Sequence, residues 1–367
     1  MSTTTWSPDQ LVAANEDAAD FFRRHLLGHH GRGPRHYLTQ RGFEALLDHT
    51  PWTVGYAPAT WTALHDHLSG LGYSNDCQRA AGLVTTTRDD RIIDRFRDRI
   101  TFGIRDLDHA LTGFVARSSP DAPPSSPRYL NTPTTTIYNK SETLFGLGEQ
   151  ATLLRSSATS VLVEGPLDAI AIHLAASRAG SRHVGLALCG TALTDKHAHT
   201  ALIGTPNSAI LYFDPDPAGQ RAMRHAHELL HPRVDEVRAI TLSGTGDQAD
   251  ALRHGGLAAI VRQLDDARPA VDAIIENQLA SWPIRQTGAE ADLARLRELA
   301  KLIANTPCPD VARQAARLRH RLGLDDKTIA RELADAITTS RSKPTASSPW
   351  TERSQTTHPA PDLARRA

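Results

Sequence analysis

The sequence predicts a protein of several subdomains, mixed α+β and α/β, with a central parallel sheet, and three observations support this. Short apolar runs at residues 161–163, 209–213 and 237–242 alternate with helical segments. Runs bounded by turn residues in this way are typical of parallel strands buried on both faces. Acidic residues follow the runs, at the sheet edge where α/β proteins bind ligands. From about residue 264 to 338 the pattern is helical.

Two acidic residues follow each apolar run. The pairs are Glu164 with Asp168, Asp214 with Asp216, and Asp247 with Asp250. Crowded carboxylates repel one another unless a cation lies among them, and Mg²⁺ or Mn²⁺ prefers such oxygen ligands. Pro215 disfavours a helical conformation at Asp214, so the second pair can face one metal ion. A single Asp-x-Asp is more often a turn with a helix cap, but acids at three strand ends favour a divalent metal site.

Length and composition limit the possible functions. The 367 residues can form two or three domains with their own cores. With 41 basic and 41 acidic residues, any nucleic-acid surface must be a local patch. The three cysteines form no Cys-x-x-Cys pair, which argues against a zinc ribbon or disulfides and for a reducing cytoplasm. No apolar run is long enough for a membrane span, and no export signal is expected.

The N-terminal region predicts a helix followed by a polar loop. Ser7, Pro8 and Gln10 are typical of a helix start, with Ser7 as the cap, and the helix is expected to run to about Gly28. Residues 29–33 contain adjacent histidines but no partner at metal-ligand spacing. A solvated loop is therefore favoured there over a metal or phosphate site.

An arginine-rich stretch at residues 94–104 predicts a strand. At a period of two residues, Arg95, Arg97 and Arg99 share one face, and apolar side chains occupy the other. Adjacent guanidinium groups repel unless anions cover them, as a phosphate backbone or a nucleoside triphosphate would. The alternative is a surface edge strand protected by its charges, with Asp94 and Asp98 as local partners.

The remaining chain continues the alternation of strands and helices. The Ser- and Pro-rich segment 118–127 predicts flexible surface chain. Between residues 160 and 252 the pattern predicts an α/β unit with crossover helices at 167–179 and 219–230. The segment 341–367, rich in Ser, Thr, Pro and Arg, is expected to be a disordered tail.

Two groups of motifs resemble known families. The acidic pairs, with Gly165 after Glu164 and Gly219 after Asp216, resemble the Toprim domain that bacterial-type primases share with topoisomerases and some nucleases. In their order and spacing, five further segments resemble the catalytic core of bacterial-type (DnaG-like) DNA primases: 37–43, 54–58, 81–83, 94–100 and 128–141. Arg128 stands where this family usually has Lys, and Thr132 where it has Ser; both keep a hydrogen-bond donor.

The resemblance implies a domain order. We expect a primase-type N-terminal subdomain at 1–155, a Toprim domain at 156–260, a helical subdomain at 261–340 and the tail. The zinc ribbon and the full-length helicase-binding domain of replicative primases are expected to be missing. We therefore expect a primase with fewer domains than the replicative enzymes, from a mobile element such as a plasmid or phage.

The resemblance also implies a function. We expect short RNA to be made from NTPs on single-stranded DNA by two-metal nucleotidyl transfer, with Mg²⁺ or Mn²⁺ and without zinc. Glu164, Asp214 and Asp216 would be catalytic and would bind metal, supported by Asp168, Asp247 and Asp250. The residues expected to contact nucleotide or template are Arg95, Arg97, Arg99, Arg117, Arg128, Asn131 and Lys140. The expected partner is a replicative helicase or a separate site-selection protein. No membrane association is expected.

Two alternatives remain open at this point. One is a Toprim nuclease or topoisomerase; against it, no phosphate-binding Gly-x-x-x-x-Gly-Lys-Ser/Thr loop occurs, and Tyr37, Tyr129 and Tyr138 lie within primase-like motifs. The other is a replication accessory that binds single-stranded DNA without synthesis. A pure DNA binder gains nothing from carboxylates that repel phosphate, so the acidic pairs argue against it.

Overall fold

The computed structural model describes residues 6–48, 50–119, 122–123, 125–204, 207–241, 248–281, 289–304, 308–322 and 324–342. The expected tail lies outside these residues from 343 onward. The chain divides into two compact units, Met1–Asn277 and Gln278–Ala367. Within the described residues, the helices are too short or too polar to cross a bilayer. The subdomain borders expected at 155 and 260 stay predictions.

The first unit begins with the helix predicted from Ser7. Helix α1 (Pro8–Leu27) has Ser7 as its N-cap and Gly28 as its C-cap. Ser7 Oγ accepts from the Gln10 amide at 3.3 Å, and Gln10 Oε1 accepts from the Ser7 amide at 3.0 Å, which completes a capping box. The segment expected as a loop is instead a 3₁₀ turn (His29–Gly31) followed by α2 (Arg32–Gln40). Its two histidines are exposed, as predicted.

An antiparallel sheet forms the centre of the N-terminal region. The strand order is β1-β4-β5-β6, and β2 and β3 form a separate hairpin. Phe22 of α1 packs edge-on against Phe96 and Phe114, with ring centroids 6.5 and 5.5 Å apart, so α1 and the sheet share one core. The elements are β1 (Val54–Ala57), α3 (Ala63–Gly70), α4 (Asn75–Ala80), β2 (Val84–Thr86), β3 (Ile92–Asp94), β4 (Arg99–Arg105), β5 (Leu111–Ser118) and β6 (Tyr129–Asn131).

The prediction of one continuous strand over residues 94–104 is wrong. Strand β3 ends at Asp94 and β4 begins at Arg99, so the three arginines do not share a strand face. Asp94 is buried, and its two oxygens accept from the amides of Leu64 and His65 at 2.9 Å, which caps α3. Asp98 has a left-handed backbone, φ 49°, and accepts from the Tyr56 hydroxyl at 2.8 Å. Both acids therefore bind distant residues and interrupt the strand.

A mostly parallel sheet follows, as predicted. Its strand order is β11-β10-β9-β7-β8, with only the β10–β11 pair antiparallel among the described strands. The elements are α5 (Ala151–Arg155), β7 (Thr159–Val163), α6 (Pro166–Ala179), β8 (His183–Ala187), α7 (Asp195–Ala201), β9 (Ser208–Tyr212), α8 (Pro217–Leu230), β10 (Glu236–Ala239), α9 (Gln248–Asp265), β11 (Arg268–Pro269) and α10 (Ala270–Ser281). Strands β7, β8 and β9 are buried along almost their whole length, which explains their continuous apolar runs.

The second unit is helical in its described part. After the end of α10 it contains α11 (Ala289–Ile303), α12 (Cys308–Leu322) and α13 (Asp326–Ser342). Leu296, Leu299 and Ile303 of α11 are fully buried, and their spacing of three to four residues puts them on one core-facing side of the helix. The predicted mixed α+β and α/β fold, with a central parallel sheet and C-terminal helices, is confirmed, and the structure adds that the N-terminal sheet is antiparallel.

Candidate active site at the rim of the parallel sheet

The acidic residues Glu164 and Asp214 meet at the carboxyl ends of two adjacent strands. Strands β7 and β9 are parallel neighbours, with Val163 opposite Tyr212, so both chains leave the sheet at the same level. The Asp214 amide donates to Glu164 Oε1 at 3.0 Å. A side chain from one strand end is therefore fixed directly by the backbone of the next.

Two glycines make this approach possible. A Cβ on Gly219 would lie 2.1 Å from the Asp214 carbonyl oxygen and 3.0 Å from Glu164 Oε1. A Cβ on Gly165 would lie 2.8 Å from the Tyr129 hydroxyl and 3.0 Å from Asp168 Oδ2. The contact at Gly219 is with a backbone atom and is shorter than carbon and oxygen can approach, so this position requires glycine, whereas a Cβ on Gly165 would displace the Tyr129 hydroxyl.

Asp216 and Asp168 each cap a helix with one oxygen. Asp216 Oδ1 accepts from the amides of Ala218 and Gly219, at 2.8 and 2.7 Å, at the start of α8. Asp168 is buried, and its Oδ2 accepts from the Gly165 amide at 3.1 Å, which closes the turn that carries Glu164. Asp216 thus forms the helix cap that is expected for an isolated Asp-x-Asp. The contact between Glu164 and Asp214 is present in addition to this cap.

The carboxylates influence one another electrostatically. Burial raises the pKa of Glu164, and the nearby charge of Asp214 raises it further, against the Asp214 amide that stabilises the ionised form. Asp216 also raises this pKa, and Arg128 lowers it. The rim therefore concentrates negative charge, and the basic side chain of Arg128 lies close enough to offset part of it.

The donor set suits a hard divalent ion, although the described residues do not complete a site. Among them, no three His, Cys, Asp or Glu side chains are grouped to hold a metal. Glu164 and Asp216 each use one oxygen on backbone amides, and each carboxylate has a second oxygen. Asp247 and the side chain of Asp250 lie outside the described residues. Since a cation would relieve the repulsion that raises the Glu164 pKa, the chemistry of the rim fits Mg²⁺ or Mn²⁺.

A basic and aromatic cluster from the antiparallel sheet and helix α2 packs on this rim. Arg117 donates to the Tyr129 hydroxyl at 2.7 Å and lies over the rings of Tyr37 and Tyr129, 5.5 and 5.4 Å from their centroids. Burial raises the Tyr129 pKa to about 12, although Arg117 acts in the opposite direction. Because Tyr129 also packs against Gly165, Arg117 is connected through one side chain to the turn that bears Glu164.

Asn131 and Lys140 connect the antiparallel sheet to the parallel sheet. Asn131 Nδ2 donates to the Cys189 carbonyl at 3.0 Å, beyond the end of β8. The Lys140 side chain is exposed, while its carbonyl contacts His197 of α7.

The arginines predicted to hold anions have protein partners. Arg95 donates from Nε and Nη2 to the Asn131 carbonyl, at 2.9 and 2.8 Å. Arg99 is buried and donates to the Pro127 carbonyl at 2.9 Å. Arg97 donates to the Asp94 carbonyl and lies over the exposed ring of Trp61, 4.6 Å from its centroid. Carbonyl oxygens thus supply the negative partners that Arg95 and Arg99 were expected to find in phosphate.

The comparisons with known proteins agree with this arrangement. A family model described as the N-terminal domain of the DNA primase catalytic core matches residues 21–151, and a Toprim-like model matches residues 161–252. This chain belongs to the DnaG-type primase catalytic cores. The DNA primase of Deinococcus radiodurans is 36% identical over 273 residues, which cover 72% of this chain and 45% of that protein. The DNA primase of Mycolicibacterium smegmatis is 30% identical over 317 residues, covering 85% and 48%.

Solved DnaG structures match this chain over almost their whole length. The RNA polymerase domain of Mycobacterium tuberculosis DnaG, in complex with double-stranded DNA, has a TM-score of 0.68 and 28% identity, covering 86% of this chain and 99% of that one. A DnaG primase catalytic domain bound to single-stranded DNA has a TM-score of 0.66 and 27% identity, covering 87% and 98%. The chain spans about half the length of its curated relatives. These relatives are bacterial primases and do not support the expected mobile-element origin.

Sequence reasoning missed two residues of this DnaG-type core whose polar side-chain atoms are buried. His197 is fully buried and bonds the Lys140 carbonyl, and its only signal was the Thr-x-x-His spacing at the start of α7. Glu149 gave no signal; its buried carboxylate oxygens accept no hydrogen bond from the residues that the structure describes. Both depend on contacts between segments far apart in the chain, which spacing along one segment does not show.

Proposed function

We propose that this primase core synthesises short RNA primers on single-stranded DNA by nucleotidyl transfer. The observation that carries the proposal is the contact of Glu164 with Asp214 beside the positive charge of Arg128. Acidic and basic groups at one rim are what a polyphosphate substrate with bound cations requires. The resemblance of the fold to DnaG domains bound to DNA supports the same conclusion.

The residues have distinct proposed roles. Glu164, Asp214 and Asp216 would hold divalent ions, with Asp247 and Asp250 as further ligands and Asp168 holding the turn of Glu164. Bound Mg²⁺ would lower the pKa of the attacking 3′-hydroxyl and stabilise charge on the leaving pyrophosphate. The Asp214 amide fixes the Glu164 carboxylate, so this ligand is oriented before substrate arrives.

The basic residues would bind the substrates. Arg128 lies near Glu164 and over the ring of Tyr129, which accepts from Arg117, and its guanidinium would contact phosphate oxygens. Lys140 presents an exposed ammonium group, and Asn131 joins the two sheets. Arg95 and Arg99 would shape this surface through the Asn131 and Pro127 carbonyls. Single-stranded DNA and NTPs are the proposed substrates, and a helicase or site-selection protein the proposed partner.

Replacement of the two strand-end aspartates tests the proposal. In a primer-synthesis assay with NTPs, Mg²⁺ and single-stranded DNA, we expect Asp214→Asn and Asp216→Asn to lower the rate by about 10²-fold or more, because transition-state charge loses its support. Both variants should bind single-stranded DNA as well as the unchanged protein or better, since a charge that repels phosphate is removed. Asp235→Asn, at an exposed position of the same domain, is the matched control.

Three outcomes would contradict this function or its site. If the unchanged protein makes no RNA on varied templates, the polymerase proposal fails. Metal-dependent nicking of supercoiled DNA without NTPs would instead support a Toprim nuclease. If Asp214→Asn retains full synthesis, the rim is not the site.

A further inference from the structure

The turn that carries Lys140 is attached to helix α7 of the Toprim domain. We call residues 139–142 the Lys140 turn. His197 Nε2 lies 3.0 Å from the Lys140 carbonyl oxygen, and the Thr194 hydroxyl donates to the Ser141 carbonyl at 2.7 Å. Lys196 Nζ lies 2.5 Å from Glu142 Oε1. Residues at the start of α7 therefore contact three successive residues of the turn.

The turn is also ordered internally. Asn139 Nδ2 donates to Glu142 Oε1 at 2.8 Å, and Asn139 Oδ1 accepts from the Ser141 amide at 3.0 Å. The amides of Glu142 and Thr143 donate to the Asn139 carbonyl, at 2.9 and 3.1 Å. A turn with these bonds moves as one piece, so its contacts with α7 set the position of the Lys140 side chain.

Hydrogen bonds determine which nitrogen of His197 donates. The Thr194 amide donates to His197 Nδ1 at 3.3 Å, so Nδ1 is the acceptor of a neutral ring. Nε2 then carries the proton and donates to the Lys140 carbonyl. The ring is fully buried, and burial lowers the His197 pKa, which favours this neutral form. The Thr194 hydroxyl completes the arrangement by accepting from the His197 amide at 3.1 Å.

We propose that His197 is a positioning residue for Lys140: its Nε2–H holds the Lys140 turn so that the ammonium group meets the anionic substrate beside the acidic rim. The inference rests on the proposed function for the role of Lys140. His197 touches no substrate. His197 links the position of a cation from the N-terminal region to the Toprim domain, which carries the carboxylates. This link matters because small displacements of substrate-binding groups lower reaction rates strongly.

Two substitutions of His197 separate positioning from stability. His197→Gln can keep a donor near the Nε2 position, whereas His197→Asn keeps a group near Nδ1 and loses the bond to the Lys140 carbonyl. We expect His197→Asn to raise the KM for NTPs about tenfold with a smaller change in kcat, and His197→Gln to restore most of the affinity. His199→Asn, at an exposed position of the same helix, should behave as the unchanged protein.

A double-mutant cycle tests whether His197 acts through Lys140. In a Lys140→Met background, His197→Asn should raise the KM no further, because the positioned group is already absent. Additive effects of the two substitutions would overturn the proposal. So would equal KM values for His197→Asn and His197→Gln, because that result leaves His197 with a structural role only.

Amide hydrogen exchange provides a readout that does not require synthesis. In the full chain, His197→Asn should speed exchange at the amides of Ser141, Glu142 and Thr143, and His197→Gln should not. Unchanged exchange in His197→Asn would refute the proposal even if primer synthesis is normal. If the two variants show this exchange pattern but the unchanged protein makes no RNA, the result would refute the proposed function and not the positioning role of His197. If His197→Asn does not fold, Thr194→Ser and Thr194→Val provide the same comparison at the Ser141 carbonyl.

Discussion

At the scale of single residues, Glu149 is a carboxylate for which the described part of the chain offers no suitable hydrogen-bond partner. Both of its oxygens are buried and accept no hydrogen bond of good geometry from the described residues. Arg105 is nearby, but its guanidinium is paired with Glu16, at 2.6 and 2.9 Å. Burial raises the Glu149 pKa to about 7, and the attraction of Arg105 and the residue's own amide offset this only in part.

Replacing Glu149 should make stability less dependent on pH. The folded-state pKa lies above the usual 4.5, so the unfolded chain ionises first and the free energy of unfolding falls as pH rises from about 4.5 to 7. Glu149→Gln removes this loss, and its stability relative to the unchanged protein should rise by about 2–3 kcal/mol between pH 5 and pH 8. Urea unfolding at both pH values measures the difference.

The control for this experiment is an exposed glutamate. Glu236→Gln, on strand β10, should change stability equally at pH 5 and pH 8. A parallel pH dependence of Glu149→Gln and the unchanged protein would mean that Glu149 is ionised in the folded state at all these pH values.

The residue scale also shows how far sequence patterns predict this molecule. Ser7 and Gln10 predicted their helix correctly because a capping box is a contact within four residues. Glu164 and Asp214 were expected together because adjacent parallel strands end at one rim, and the structure places them in contact. Glu149 could not be predicted, because its burial depends on Gly148 packing against Arg105, more than forty residues away.

At the scale of elements, the turn between β9 and α8 depends on Gly219. A Cβ there would lie 2.1 Å from the Asp214 carbonyl oxygen, which is a backbone atom and cannot rotate away. We expect Gly219→Ala to destabilise the protein by about 2–4 kcal/mol and to abolish primer synthesis, because the Asp214 amide would leave Glu164. Thermal unfolding and the synthesis assay measure the two effects.

A second glycine provides the comparison. A Cβ on Gly33 in α2 would meet no atom of the described ranges within 4 Å, so Gly33→Ala should stabilise the protein by about 0.5–1 kcal/mol. Equal effects at Gly33 and Gly219 would show that the turn has room for a side chain and that the packing inferred at the rim is incorrect.

Elements also explain the main error of the sequence prediction. The alternation of three arginines with Phe96 and Ile100 fits the period of a strand, but Asp94 and Asp98 make contacts that end and restart it. The capping of α3 by Asp94 joins residues about thirty positions apart. The periodicity of one segment does not reveal a contact with a distant residue. The sequence therefore predicted the existence of strands here more reliably than the residues at which they end.

At the scale of the whole molecule, balanced charge limits the electrostatic part of DNA binding. Basic and acidic residues both number 41, so attraction to DNA must come from the local basic surface. Arg95 and Arg99 each donate to the backbone carbonyl of a distant segment, whereas Arg97 donates to the Asp94 carbonyl three residues before it and lies over the exposed ring of Trp61. The remaining predicted basic contacts are Arg97, Arg117, Arg128 and Lys140.

These four cations predict a shallow dependence of DNA affinity on salt. If each neutralises one phosphate of single-stranded DNA, the logarithm of the binding constant should fall with the logarithm of salt concentration with a slope of about −3. Lys140→Met should reduce the slope by about 0.7 and leave the unfolding temperature unchanged, because its side chain is exposed. Fluorescence anisotropy across a salt series measures both slopes. A slope steeper than about −6 would require more phosphate contacts than these residues supply, and the binding surface would then extend beyond the rim.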